Sequence, residues 1–346
     1  MLKIATEEAF SIPEVADALG RVSRTDSPSL DMPLVGNLYG EGAGGSNPLL
    51  KGLLDWDQRL RVMDDNKVDM HLLSLTAPGV QMFETEEAVA LARLANDRLA
   101  EQVAAHPGRY AGLASFAPQD PAEAAREIAR AKTELGLHGL VVNSHTNNEY
   151  YDDPKYWPIF EAAEAHDLAI YIHPRAPAAQ IDAGFRDYGM DGAMWGYGIE
   201  TSTHALRLIC SGLFDQYPKL RIVLGHMGEG IPFWLWRIDF MHEVMSRNRT
   251  MPKLALKPSD YFRRNFAITT SGQENALALR YSIDMLGLEN VMWAIDYPYQ
   301  PTAPAVKFIE EAQPLADAER EAVAGGNAAR IFHINPPRDG EGDRGA

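Results

Sequence analysis

The sequence predicts a (β/α)8 barrel of the α/β class, with insertions after its first and fifth strands. Short β-rich runs alternate with amphipathic helical stretches, and eight such runs can be read. The first run leads into Glu7-Glu8-Ala9-Phe10, where a doubly wound sheet would place a glycine-rich phosphate loop. The runs lie at residues 2–6, 69–76, 110–116, 138–143, 168–172, 220–225, 265–270 and 290–295. Helical patterns between them include Glu86–His106, Pro121–Leu135, 155–166 and 273–287.

A chain of 346 residues with 46% hydrophobic content is long enough for one barrel domain over residues 1–335. The polar, glycine-rich tail 336–346 is expected to be disordered. Residues 20–50, rich in Ser, Pro and Gly, predict an irregular excursion after the first strand. Residues 175–198 carry five glycines among aromatics and predict another after the fifth. Loops that follow barrel strands lie on the catalytic face, so both are candidate covers for a substrate.

Charge narrows the partners. With 32 basic against 48 acidic residues, the net charge of −16 argues against nucleic acid and anionic membranes. A small anionic substrate stays possible, because a bound cation and one arginine outweigh the global field locally. The single cysteine, Cys210, excludes an intramolecular disulfide and cysteine-based metal sites. It sits in an apolar helical run and reads as a small hydrophobe. The chain opens on a strand-like pattern without a basic-then-apolar leader, so a cytoplasmic location is expected.

Polar residues collect where the apolar runs end: Glu7-Glu8, Thr76, Asn143-Ser144-His145, His173, His226-Met-Gly-Glu229, Thr269-Thr270-Ser271 and Asp296. Convergence of carboxylates and imidazoles at one rim suits a metal site or an acid–base site. Each also has a plainer reading: a solvated loop carboxylate for Glu7, a core histidine for His173, a turn cap for Asp296. Glu7 and Glu8 compete as ligand, since alternation along a strand turns only one of them inward. Of the other histidines, His204 is kept as a group behind the site and His145 as a residue at the rim.

Ile-Ala-Thr-Glu7-Glu-Ala-Phe, Tyr-Ile-His173-Pro, Gly-His226-Met-Gly-Glu229 and Ala-Ile-Asp296-Tyr-Pro-Tyr299 together resemble the amidohydrolase-related aromatic acid decarboxylases. That family includes the γ-resorcylate, 2,3-dihydroxybenzoate and 5-carboxyvanillate enzymes, and the motifs run closest to the last. Leu75-Thr-Ala-Pro-Gly-Val-Gln81, Ala117-Pro-Gln-Asp-Pro121 and Phe214-Asp-Gln-Tyr-Pro218 extend the likeness across almost the whole chain. The resemblance implies non-oxidative decarboxylation of an ortho-hydroxy aromatic acid by metal chelation and ring protonation. It implies one divalent cation held by Glu7, His173 and Asp296, with Asp296, His226 and Glu229 as the proton-handling set. Thr76, Asn143 and Tyr299 match substrate-pocket positions. Arg237 matches an arginine presented to the substrate carboxylate across a subunit interface, which implies a homodimer or homotetramer.

The sequence departs from the family twice. Ala9 replaces a histidine found two residues after the first glutamate in some members, so the ligand set becomes richer in oxygen. That favours Mn2+ over Zn2+, with Mg2+ also compatible. The same change weighs against the alternative, a metal-dependent hydrolase of a lactone, ester or amide, which wants a His-x-His pair there. In addition, the loop arginine of the carboxyvanillate enzymes is missing at Gly44-Gly-Ser-Asn-Pro48. Arg59 is the nearby candidate to take its place.

Overall fold

The computed structural model describes residues 1–40 and 47–336. The Gly42–Gly45 part of the first insertion and the tail from residue 337 lie outside the described residues. Eight strands follow one another in a single sheet: β1 (Ile4–Phe10), β2 (Met70–Leu75), β3 (Tyr110–Ser115), β4 (Gly139–Asn143), β5 (Ile170–His173), β6 (Ile222–Leu224), β7 (Phe266–Thr269) and β8 (Val291–Met292). Every ladder is parallel and joins consecutive strands, as the barrel expectation requires. The expected helices stand at Thr85–Ala105, Pro121–Thr133, Trp157–Ala165 and Ala276–Leu286.

Alternate strand residues fill the interior. Ile4, Leu72, Val141, Tyr171, Val223, Ala267 and Met292 form one buried cluster, and Phe332 packs against it. This parity carries upward: Tyr171 and His173 share the inward face of β5, as Ala267 and Thr269 share that of β7.

Two boundaries differ instructively from expectation. β1 runs four residues past position 6 and takes in both glutamates, which are buried. Its register against β2 slips between Ala5 and Glu8, a bulge that breaks simple alternation. β8 stops at Met292, and the seam to β1 is closed mainly by other bonds. Ala9 N–H reaches the Tyr297 carbonyl (2.8 Å), and Thr6 Oγ1 reaches that of Trp293 (2.8 Å). Glu8 accepts from the N–H groups of Ile295 and Tyr297 at 3.0 and 3.1 Å.

The insertions are less irregular than predicted. The first contains helices Met32–Tyr39 and Pro48–Leu54. Pro48 opens the second of these, and the Asn47 side chain accepts from Leu49 N–H at 3.0 Å. Proline here starts a helix rather than breaking one. The second insertion holds a short turn, Ala179–Asp182, and leads into helix Gly196–Cys210.

One buried ion pair ties the insertions together. The carboxylate of Asp31 accepts from the Arg175 guanidinium and from Ala176 N–H (3.1 Å), while Arg175 Nη1 also reaches the His145 carbonyl at 3.0 Å. Both side chains are essentially without solvent, at 1% and 3% exposure. Asp31→Ala would strand the guanidinium, a loss of about 3–5 kcal/mol. Thermal unfolding is expected to show a fall of several degrees, and an unchanged transition would contradict the burial of this pair.

Candidate active site

Glu7 sits at the centre of the rim with 2% of its side chain exposed. Its Oε2 accepts from Tyr171 and Ser271 hydroxyls and from Thr269 Oγ1 at 3.1 Å. Oε1 has no hydrogen-bond partner among the described residues, and faces His173 Nε2 at 3.5 Å and His226 Nε2 at 3.7 Å. A buried carboxylate oxygen left without a donor, beside imidazole nitrogens, suits a cation. Glu7, His173 and Asp296 each offer one ligand atom, all within 4.8 Å of one another. Two oxygens and one nitrogen match the set expected from sequence, and Ala9 adds nothing to it.

Backbone choices bring these groups together. His173 Nδ1 lies 2.8 Å from the Pro174 carbonyl, which can only accept, so Nδ1 carries the proton and Nε2 keeps its lone pair. His226 through Gly230 form a left-handed turn, with φ between +49° and +75° at each residue. Left-handed backbone costs about 1–2 kcal/mol per non-glycine residue. The turn sets His226 Nδ1 2.8 Å from Glu229 Oε1. Asp296 is likewise held at φ +74°. Strain of this kind gathers at functional sites. Gly225 is needed for space: a Cβ there would lie 2.6 Å from Glu7 Oε2.

Protonation follows from this packing. Burial raises the Glu7 carboxyl, but His226, His173 and the Ser271 and Tyr171 hydrogen bonds outweigh it, leaving its pKa below the usual range. Burial and the neighbouring Glu7 charge push Asp296 well above its usual value. Burial pulls His226 down, yet the carboxylates of Glu229 and Glu7 overcome it, and His226 lies well above 6.5. Burial lowers His173 and raises Glu229. Without a cation the rim therefore holds an ionised Glu7, a charged His226 and a protonated Asp296. Carboxyls with opposite protonation side by side are what acid–base chemistry needs.

A cavity of about 580 Å³ opens beside this cluster, bordered by His226, Glu229, Asp296, Tyr197, Trp195 and Gln300 among others. Its size suits a single-ring ligand. Thr76 Oγ1 and Tyr299 OH meet at 2.6 Å, and Asn143 pairs in register with His173. Arg237 is exposed on helix Ile231–Ser246, outside this cavity, although Trp234 and Ile238 of that helix line it. Arg59 does not replace the missing loop arginine. It is buried, bonded to the carbonyls of Ala9 and Gly52, and stacked 4.7 Å over the Tyr297 ring. His204 lies behind the rim on Ser144 (3.1 Å), and His145 bonds the Ala176 carbonyl (3.1 Å). Sequence reasoning missed Tyr171, whose parity with His173 is the available signal, and the Asp31–Arg175 pair, for which there was none.

The amidohydrolase family profile matches residues 53–334. The chain belongs to the amidohydrolase family. Its fold aligns with the structure of 5-carboxyvanillate decarboxylase from Sphingomonas paucimobilis at a TM-score of 0.94 and 63% identity, covering 96% of this chain and 99% of the other. A second 5-carboxyvanillate decarboxylase, from Novosphingobium aromaticivorans, was solved with manganese and 4-hydroxy-3-methoxy-5-nitrobenzoic acid. It aligns at a TM-score of 0.92 and 37% identity, over 96% of each chain. The γ-resorcylate decarboxylase of a Polaromonas species is 38% identical, over 96% of this chain and 99% of its own. Manganese in such a relative agrees with the oxygen-rich ligand set of this amidohydrolase.

Two outcomes follow for the amidohydrolase site. Gly225→Ala should displace the Glu7 carboxylate and weaken manganese binding about 10–100-fold in calorimetric titration. Unchanged affinity would contradict the need for a bare backbone at residue 225 beside Glu7. The second concerns pH in the metal-free protein. Glu8, pushed up to about 8 by burial, and His226 hold more protons folded than unfolded. Their stabilisation is present at low pH and fades as pH rises, from 4.5 to about 8 for Glu8 and above 6.5 for His226. Burial holds His145 at about 4 and His204 at about 3, so these act oppositely, but only below 6.5. The melting temperature of metal-free protein is thus expected to fall between about pH 6.5 and 9, and a rise would contradict these assignments.

Proposed function

We propose that this amidohydrolase removes CO2 non-oxidatively from ortho-hydroxy aromatic acids of the 5-carboxyvanillate type. The observation that carries the reading is Asp296, a carboxyl placed both among the ligand atoms and on the cavity wall. A divalent cation on Glu7, His173 and Asp296, with manganese preferred, would supply positive charge to fix and stabilise the ionised phenol.

Direct loss of CO2 from an arene leaves an aryl anion too basic to form near neutral pH. Protonation of the carboxyl-bearing carbon avoids it. The ortho phenolate pushes electrons into the ring, and the Asp296 proton forms a new C–H bond there. The bond to the carboxylate then breaks, CO2 departs, and its electron pair restores the arene. That proton leaves with the product as its new C–H bond, and His226, hydrogen-bonded to Glu229, passes a fresh one taken from solvent to Asp296. Thr76, Asn143 and Tyr299 are assigned to orienting the ring.

Arg237 is assigned to the substrate carboxylate of a second copy of the chain. Around it the helix exposes Phe233 (74%) and Trp236 (72%), with Trp234 and Phe240. An apolar patch of this kind favours an interface, hence a homodimer or homotetramer. Residues 1–335 are taken as one domain. A cytoplasmic location fits this reading, and none of the described helices is long and apolar enough to cross a membrane.

In deuterated solvent, a panel of ortho-hydroxybenzoates should yield CO2 with deuterium at the vacated ring carbon. Water addition without CO2 would overturn the reading. Asp296→Asn should reduce kcat by about a thousandfold or more while the protein stays folded. Arg237→Lys keeps the charge but loses the planar fork, and should raise KM about tenfold. A fully active monomer in sedimentation-coupled assays would remove Arg237 from the active site.

A further inference from the structure

Glu8 is a second carboxylate beside Glu7, fully buried and outside the ligand set. Its two oxygens take separate partners, Oε1 from Ile295 N–H at 3.0 Å and Oε2 from Tyr297 N–H at 3.1 Å. These are the residues on either side of Asp296, in a segment where β8 has already ended. We propose that Glu8 is a positioning residue that clamps the N–H groups of the two residues on either side of Asp296, and so aims the Asp296 carboxyl at cation and substrate.

The geometry requires such a device. Asp296 stands at φ +74°, a conformation that a non-glycine residue leaves unless its neighbours are fixed. A strand partner would ordinarily fix them, but the β8 ladder ends at Met292. A carboxyl group has two acceptor oxygens in one plane and can hold two N–H groups at once, whereas the glutamine amide of the same length offers only one acceptor. The clamp is itself braced. Ala9 N–H bonds the Tyr297 carbonyl at 2.8 Å, while Arg59 bonds the Ala9 carbonyl and stacks on the Tyr297 ring. Residue 7 thus supplies a ligand directly, and residue 8 orients the ligand supplied from the far end of the chain.

This inference rests on the role given above to Asp296. It is tested on the manganese-loaded enzyme with Glu8→Gln and Glu8→Asp. Glutamine keeps the shape but turns an NH2 toward one backbone N–H; aspartate keeps the carboxyl group but is one methylene too short to span both. Each variant should lower kcat about 100-fold through a misplaced carboxyl, with KM within about twofold of wild type. Each should also alter the electron paramagnetic resonance spectrum of bound Mn2+, recorded without substrate, while still binding one ion. Wild-type kcat and spectrum in either variant would overturn the clamp. So would failure of both to fold, or a loss of activity that merely follows the unfolded fraction, since Glu8 would then serve stability alone. An altered spectrum alongside a wild type inactive on every aromatic acid would instead overturn the decarboxylase reading and leave the clamp standing.

Discussion

The rest of the rim is organised by one constraint: the charge on Glu7 must be stabilised where water does not reach it. A carboxylate at this depth is unfavourable unless donors and positive groups surround it. Three strands meet the demand, with Tyr171 from β5, Thr269 and Ser271 from the end of β7, and imidazoles from the ends of β5 and β6. Gly225 leaves room for the carboxylate, and the left-handed turn after it brings His226 into range. The barrel supplies donors from several strands to one point, as an open sheet could not do as compactly.

Compensation is incomplete by design of the ligand set. Among the described residues Glu7 Oε1 keeps no hydrogen bond, and His173 keeps a free lone pair at Nε2. Together these form an electrostatic vacancy that suits a doubly charged ion. Backbone strain at His226, Met227, Glu229 and Asp296 costs stability, which the buried barrel interior offsets.

The sequence made the barrel legible because eight apolar runs alternate with helical periods, and tertiary packing reinforced rather than overrode them. The three candidate ligands were legible because each lies where an apolar run gives way to polar residues. What escaped had physical reasons. Glu7 and Glu8 looked like the end of β1, since charge normally marks a surface, yet both are buried. The helices of the first insertion were hidden by Pro33 and Pro48, which occupy first-turn positions where proline is at home. Arg175 and Asp31 are 144 residues apart, and no local pattern announces a pair at that distance. Arg237 is proposed from the resemblance alone, and a single chain leaves it facing outward.

The Asp31–Arg175 bond has a bearing on how such enzymes diversify. The insertions after β1 and β5 are joined by a charge pair that neither half can lose alone without leaving the other buried and unpaired. Exchanging one insertion with that of a relative would import half of a lock. The heritable module above this barrel is therefore both segments together, and substrate range would shift when they change in concert.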